Sequence, residues 1–531
     1  VPLYLGFDSS TQSLTAVVVD IEDDRKEIVF QSSLSFDRDL PQYGTRHGVL
    51  PDQNPAVAHS SPLLWSEALD LMLARVAGSG LDTSRLAAVS GSAQQHGSVY
   101  LRAGAEARLA VADPDRPLRP QIEPVFSRTT SPIWLDSSTS AECAEITAEV
   151  GGGGLLAQKT GSRAFERFTG PQIRKFFKQE PAAYVATDRI HLVSSFLASL
   201  LTGRHAPVDP GDGSGMNLMD LSASAWWMPA LNATAPDLST RLPAICPSRT
   251  VIGTLSPYWQ RRHGLPPARV VAWSGDNPCS LIGTGLVHEG IVAISMGTSD
   301  VIFGLMRKPR VDATGTGHVF GSPTGEFMGL TVFSNGSLAR ERVRDSFGLS
   351  WKAFSSALES TPAGNGGRMM LPWFVPEITP AVTRPAVRRF HLEADDGPGN
   401  VRAVVEAQQM ALARHSQWMG VDVKTIYATG GAAANRAILQ VMADVFAADV
   451  YQFEVGNTAC LGAALRAFHG DQTATGRLLT WDNVVQELAQ PVMSTRVTPN
   501  LRSHAIYREL MPVYAAREVE ALRESMANPQ Q

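Results

Sequence analysis

The chemistry available to this chain is concentrated in short polar turns set between apolar strand patterns. Trp273-Ser274-Gly275-Asp276-Asn277-Pro278 holds a carboxylate and an amide in a tight, glycine-preceded turn. After a helix-like run at 279–287, residues 289–304 read as strand, small-residue turn, strand, with Ser295-Met296-Gly297-Thr298-Ser299-Asp300 at the turn. The hydroxyls and backbone N–H groups of such a turn can form a concave nest for phosphate oxygens. The same design opens the sequence, where apolar strands flank Asp8-Ser9-Ser10-Thr11-Gln12. A single Ser/Thr/Gly turn is ordinarily only a turn; its recurrence is what points to a phosphate-bearing ligand.

Several elements are needed to position these turns. Trp65, Ala68, Leu69, Met72, Leu73 and Val76 recur at helical spacing before Gly78 and Gly80, which predicts a core-facing helix. The buried strand pattern at 86–92 leads into Gln94-Gln95-His96-Gly97, and polar groups at such a strand end face ligand crevices. A hydrogen-bonded structural histidine is the other reading of His96. Residues 132–137 read as a strand ending in Asp136, and 182–201 as one helix. The Gly-bounded segment 161–170, with Phe165, Arg167 and Phe168, suits a ligand-facing loop, although a solvated arginine is the more ordinary reading of Arg167 by itself. The turn-dense 209–217 carries two carboxylates but lacks the acidic spacing of a calcium loop. Near the end, a strand at 425–429 runs into Gly430-Gly431-Ala432-Ala433-Ala434-Asn435, with Asn435 capping the next helix. Small residues there leave room for a flat ring or a phosphate against backbone. Trp351 is open to two readings, core residue or flank of a base. A polar helix and a frayed tail at 528–531 close the chain.

A length of 531 residues exceeds one hydrophobic core, so two domains are expected, divided near Val270 into 1–270 and 271–531. With 18% charged residues and a net charge of −5, no nucleic-acid or anionic-membrane surface is indicated, and small soluble ligands fit better. Cys143, Cys246, Cys279 and Cys460 form no metal or redox motif. No charged-then-apolar leader and no bilayer-length apolar run is evident, so a cytoplasmic enzyme is expected, as monomer or homodimer.

These residues resemble the FGGY family of carbohydrate kinases, within the actin, Hsp70 and hexokinase superfamily. The hairpins at Asp8–Gln12 and Ser295–Asp300 look like its two phosphate motifs, and Gly430-Gly431-Ala432 with Asn435, Gln440, Ala443 and Asp444 like its adenosine motif. Within the family, Ala93-Gln94-Gln95-His96-Gly97, Ile133-Trp134-Leu135-Asp136, 161–170, 212–217 and Gly275-Asp276-Asn277-Pro278 are similar to the animal-type, xylulose-phosphorylating members. The resemblance implies an α/β fold of two ribonuclease-H-like domains facing across a hinge-closing nucleotide and sugar cleft. It implies ATP and Mg2+ as cofactors and D-xylulose as the acceptor. Asp276 would be the general base and Asp8 the magnesium ligand. Ser10, Thr11, Gly297, Thr298 and Ser299 would bind phosphates, and Gly430, Gly431, Asn435 and Trp351 adenosine. His96, Arg167, Asp276 and Asn277 would bind the sugar. The rival expectations are a family member acting on ribulose, glycerol or gluconate, and an actin- or Hsp70-like ATP-dependent interaction module.

Overall fold

The computed structural model describes residues 2–22, 25–454 and 456–527, so the tail expected at 528–531 lies outside the described residues. The chain forms two compact units. One gathers Val1–Val287, Val319–Met328 and Val455–Gln490, the other His288–His318, Gly329–Glu454 and Pro491–Gln531. The division therefore falls after Val287 and not near Val270. The reason is that strand Arg269–Val271 pairs with Leu86–Ala93 inside the first sheet, and the Pro/Gly/Arg punctuation before it marks turns around the short helix Pro257–His263.

The first unit is built on a mixed sheet. Its strands are β1 (Leu3–Ser9), β2 (Ser13–Glu22), β3 (Arg25–Ser35), β4 (Leu86–Ala93), β5 (Val251–Thr254), β6 (Arg269–Val271) and β7 (Ser274–Gly275). They lie in the order β5-β6-β4-β1-β2-β3, with β7 also pairing β4. β1 is buried almost throughout because both sheet faces are covered. On one face lies helix α1 (Pro62–Ala77), with proline at its first turn and Leu64, Trp65, Leu69, Met72 and Leu73 buried, packed with Leu5, Phe7 and Trp273. This is the helix that the apolar spacing predicts. The other face belongs to helix α2 (Thr458–Ala474), whose Cys460, Leu461 and Ala464 join Tyr4, Val17 and Val19.

Helix α3 (Asp276–Gly283) packs on α2 almost backbone to backbone. A Cβ on Gly283 would stand 1.8 Å from the Thr458 carbonyl, and one on Gly462 would stand 1.9 Å from that of Cys279. Each helical glycine costs about 1 kcal/mol in propensity. Each fully buried aliphatic or aromatic side chain returns about 1.5–3 kcal/mol, so the close contact prevails. Its consequence is to fix the start of α3, and with it Asp276.

Three expectations change here. Asp276 opens a helix directly after β7, so the expected tight turn is a strand-to-helix junction. The helix predicted at 182–201 is divided, because Arg189–Leu192 pairs as a strand with Ser98–Leu101 and only Val193–Thr202 is the long helix. At 132–137 the strand is confined to Ser131–Pro132, and Trp134 and Leu135 stand 41% and 43% exposed in a turn before buried Asp136.

The second unit's sheet contains β8 (Ile291–Met296), β9 (Asp300–Met306), β10 (His318–Gly321), β11 (Phe327–Phe333), β12 (Thr425–Thr429), β13 (Asp449–Gln452) and β14 (Val492–Val497). Their order is β10-β11-β9-β8-β12-β13-β14. Met296 pairs with Asp300, leaving Gly297, Thr298 and Ser299 as the hairpin tip. The four cysteines are free thiols. Among the described residues no helix is long and apolar enough to cross a membrane.

Candidate active site

In the first unit the polar residues collect at the carboxyl end of β4. Ser92 of β4 pairs with Asp8 of β1 on one side and Ser274 of β7 on the other. Asp8 accepts a hydrogen bond from the Ser92 hydroxyl at 2.5 Å, yet burial pushes its carboxyl up to about 6. Asp276, in the first turn of α3, accepts from its neighbour's backbone, Asn277 N, at 2.8 Å and from Asn277 Nδ2 at 3.1 Å. Asn277 Nδ2 also donates to Gln95 Oε1 at 2.8 Å, tying α3 to the loop after β4. Burial first, and the charge of Asp8 second, raise Asp276 to about 7. A carboxylate poised there is matched to taking a proton from an alcohol at neutral pH.

His96 follows in the same loop, with a left-handed backbone (φ 74°) that turns the chain away from β4. Its Nδ1 lies 2.6 Å from the Gly215 carbonyl. A carbonyl only accepts, so Nδ1 carries the hydrogen, and in the neutral ring Nε2 is left as an acceptor. The ring is neutral because burial and the nearby Arg167 charge lower it to about 3, against a small opposing effect of Gly215. His96 packs 4.6 Å from Phe168, and the Arg167 guanidinium lies over Phe165 and Phe168 at 5.3 and 5.7 Å. The Arg167 loop is tied down where Thr139 Oγ1 and Gln172 Nε2 donate to the Glu166 carbonyl at 2.6 and 3.0 Å. Asn277 and Asp276 thus meet at Gln95, the chain neighbour of His96, and Arg167 lies near enough to His96 for its charge to act on the ring.

Gln95 has no role in the sequence reading beyond its motif, and neither do Asp209 and Asp212. Gln95 Nε2 donates to the Gly211 carbonyl at 3.2 Å. Asp212 is fully buried, receives the Ser194 hydroxyl, and is held well above the carboxylate range by burial. Asp209 caps the same turn through Asp212 N at 3.0 Å and lies 3.6 Å from Arg466. The turn density at 209–217 was the available signal; the pairing with α2 and with the β4 loop is long-range and has no local signature.

At the first hairpin, Ser10 N and Ser10 Oγ both reach back to the Ser13 carbonyl, at 2.9 and 3.1 Å. Thr11 Oγ1 receives the Trp134 indole N–H at 2.7 Å.

The second unit holds a cavity of about 560 Å³ walled by Trp351, Ser355, Gly431, Ala432, Asn435, Ser337 and Arg340, among others. That volume is in the range of small-molecule sites. Trp351 is 42% exposed, which settles it as a wall of the cavity, and Arg344 stacks on its ring at 4.5 Å. Asn435 caps helix α4 (Arg436–Phe446) by accepting from Ala437 N and Ile438 N at 3.1 and 3.3 Å, and its Nδ2 donates to Ser355 at 2.8 Å. Nothing lies within 4 Å of a Cβ placed on Gly431. Gly430 differs: its φ is 87° and a Cβ would stand 2.4 Å from the Met296 carbonyl. Gly430 therefore joins the cavity's turn to the hairpin strand β8, while Gly431 faces open space. The hairpin tip is held in turn where Ser337 N donates to the Gly297 carbonyl at 2.8 Å. Beneath it, Arg340 grips Asp300 with two bonds of 2.8 and 3.0 Å. Both partners of this pair are buried, and removing one strands the other at about 3–5 kcal/mol.

The second unit thus carries a Gly-Thr-Ser hairpin tip and an aromatic-walled cavity, and the first a carboxyl raised toward neutrality among polar side chains. Residues 3–283 match the N-terminal domain model, and residues 292–470 the C-terminal domain model, of the FGGY family of carbohydrate kinases. The chain belongs to that family and is a sugar kinase by class. It is 44% identical over 528 residues to the xylulose kinase of Mus musculus, covering 98% of this chain and 94% of that one. It is also 44% identical over 530 residues to the xylulose kinase of Rattus norvegicus, at 98% and 97% coverage. A solved xylulose kinase structure from Rhodospirillum rubrum has the same fold, with a TM-score of 0.82, 20% identity, and coverage of 99% of this chain and 100% of that chain.

Proposed function

We propose that the protein transfers the terminal phosphate of ATP to the terminal hydroxyl of D-xylulose, giving D-xylulose 5-phosphate. The observation that carries this reading is Asp276, a half-buried carboxyl raised to about 7 mainly by desolvation, beside Asn277, whose side-chain amide ties it to Gln95. Phosphoryl transfer needs little covalent chemistry from the protein, since positioning and charge neutralisation do most of it. Asp276 accepts the hydroxyl proton of the ketose. Asn277 and Arg167 offer donors and His96 Nε2 an acceptor to the ketose carbonyl and hydroxyls. An inverted hydroxyl leaves one of these groups desolvated and unpaired, at about 1–3 kcal/mol.

Gly297, Thr298 and Ser299 at one hairpin, and Ser10 and Thr11 at the other, hold phosphate oxygens. Trp351, Gly431 and Asn435 hold adenosine, with Gly430 setting the turn beneath it. Asp8 suits magnesium as a hard, half-buried oxygen ligand, its carboxyl raised to about 6. When bound, magnesium neutralises charge on the phosphates. A cytoplasmic location, with no nucleic-acid or membrane partner, accords with this activity.

The test is ADP release measured across a panel of pentuloses, polyols and aldoses. D-xylulose should give the highest kcat/KM. An equal or higher value for ribulose or glycerol would transfer the assignment to that substrate, and ADP release that no sugar stimulates would favour an actin- or Hsp70-like module.

A further inference from the structure

We propose that Trp134 is a positioning residue that fixes the direction of the Thr11 hydroxyl, so that its proton points at the terminal phosphate of the nucleotide. The proposal rests on the phosphate role of the first hairpin. An indole N–H can only donate, so in the 2.7 Å contact between Trp134 Nε1 and Thr11 Oγ1 the threonine oxygen is the acceptor. Its own hydrogen must then point elsewhere, and among the described residues no protein acceptor takes it. The serine hydroxyls of the turn are engaged with each other and with backbone, since Ser10 Oγ lies 2.9 Å from Ser13 Oγ and 3.1 Å from the Ser13 carbonyl. The Thr11 hydroxyl is thus a hairpin donor whose hydrogen is open to an anionic oxygen.

The rest of Thr11 is already braced. Gly48 sits so close that a Cβ there would be 1.8 Å from the Thr11 carbonyl, and its φ of 76° suits glycine. Asp37 holds that loop through Thr45 Oγ1 at 2.7 Å, His47 N at 2.5 Å and Gly48 N at 3.1 Å. With the backbone pinned, the remaining freedom is the hydroxyl rotor, which Trp134 removes. Trp134 itself is firmly mounted. It lies two residues before Asp136, which is buried and accepts from Ala58 N at 3.0 Å and Gln172 Nε2 at 2.8 Å. Yet Trp134 is 41% exposed, so core packing does not account for its place. Preorganising one donor in this way aids transfer because no reorientation is needed when phosphate charge develops.

The test is a double-mutant cycle of Trp134→Phe, which keeps the ring and loses the N–H, with Thr11→Val, read as kcat/KM for ATP, KM for D-xylulose and Tm. Trp134→Phe should lower kcat/KM for ATP about five- to tenfold, the worth of one hydrogen bond, with the ketose KM and Tm unchanged. The double variant should be no worse than Thr11→Val alone. Additive losses would overturn the proposal, as would a raised ketose KM with unchanged ATP kinetics, which would mean that the ring touches the sugar. If Thr11→Val leaves ATP kinetics untouched, the phosphate role of this hairpin fails, and the proposal with it.

Discussion

Asp8 and Asp276 stand at the ends of two strands that flank the same central strand, and the charge of Asp8 is the second cause, after burial, of the raised pKa of Asp276. The proposed metal ligand and the proposed base are therefore electrostatically coupled, so pH is the natural probe of both.

A general base works ionised, so kcat/KM for the ketose should rise with pH and level off above about 7. Asp8→Asn removes the second cause and should move the midpoint of the residual activity to lower pH. A rise centred in the ordinary carboxylate range in the wild type would assign the limb to another group.

The same shift has a stability consequence of determined sign. Burial raises the folded-state pKa of Asp276, so its contribution is full at acid pH and is lost as pH climbs through about 7. Asp276→Asn should therefore melt higher than wild type at pH 8, with the gain shrinking by pH 5. Melting curves at the two pH values check this; a gain that grows toward acid would contradict it.

His96→Ala and Arg167→Ala should raise the ketose KM tenfold or more and leave the ATP KM nearly unchanged, since each removes a donor or acceptor from a desolvated group. Because His96 titrates only near 3, its contribution should stay constant from pH 6 to pH 8. Steady-state kinetics with each substrate varied in turn provide the check.

The paired glycines of the second unit predict opposite phenotypes. Gly431→Val places a side chain in open space on the cavity wall and should raise the ATP KM with little change in Tm. Gly430→Val collides with the Met296 carbonyl in a left-handed backbone and should lower Tm. Equal destabilisation by both would make Gly431 a backbone glycine only.

What could be read from the sequence was what local pattern encodes. The hairpins at Ser10–Thr11 and Gly297–Ser299, the α1 spacing and the Asn435 cap all depend on neighbours in the chain, and the structure has them as expected. Long-range pairing was not legible. Leu192 looks helical until Ser98 is seen opposite it, and nothing local to Trp134 indicates that its N–H meets Thr11, 123 positions away. The division after Val287 was missed for the same reason, since β6 and helix Thr458–Ala474 belong with the first sheet only through contacts distant in sequence.

The most direct measurement is ADP formation by wild type and Asp276→Asn, side by side, with saturating ATP and with or without D-xylulose. Ketose phosphorylation with Asp276 as its base predicts ketose-dependent turnover in the wild type. In the variant that turnover should fall by roughly 10²–10⁴ while ATP affinity is kept. A variant retaining more than about a tenth of wild-type turnover, where loss of a general base costs at least a hundredfold, or a wild type indifferent to D-xylulose, would contradict it.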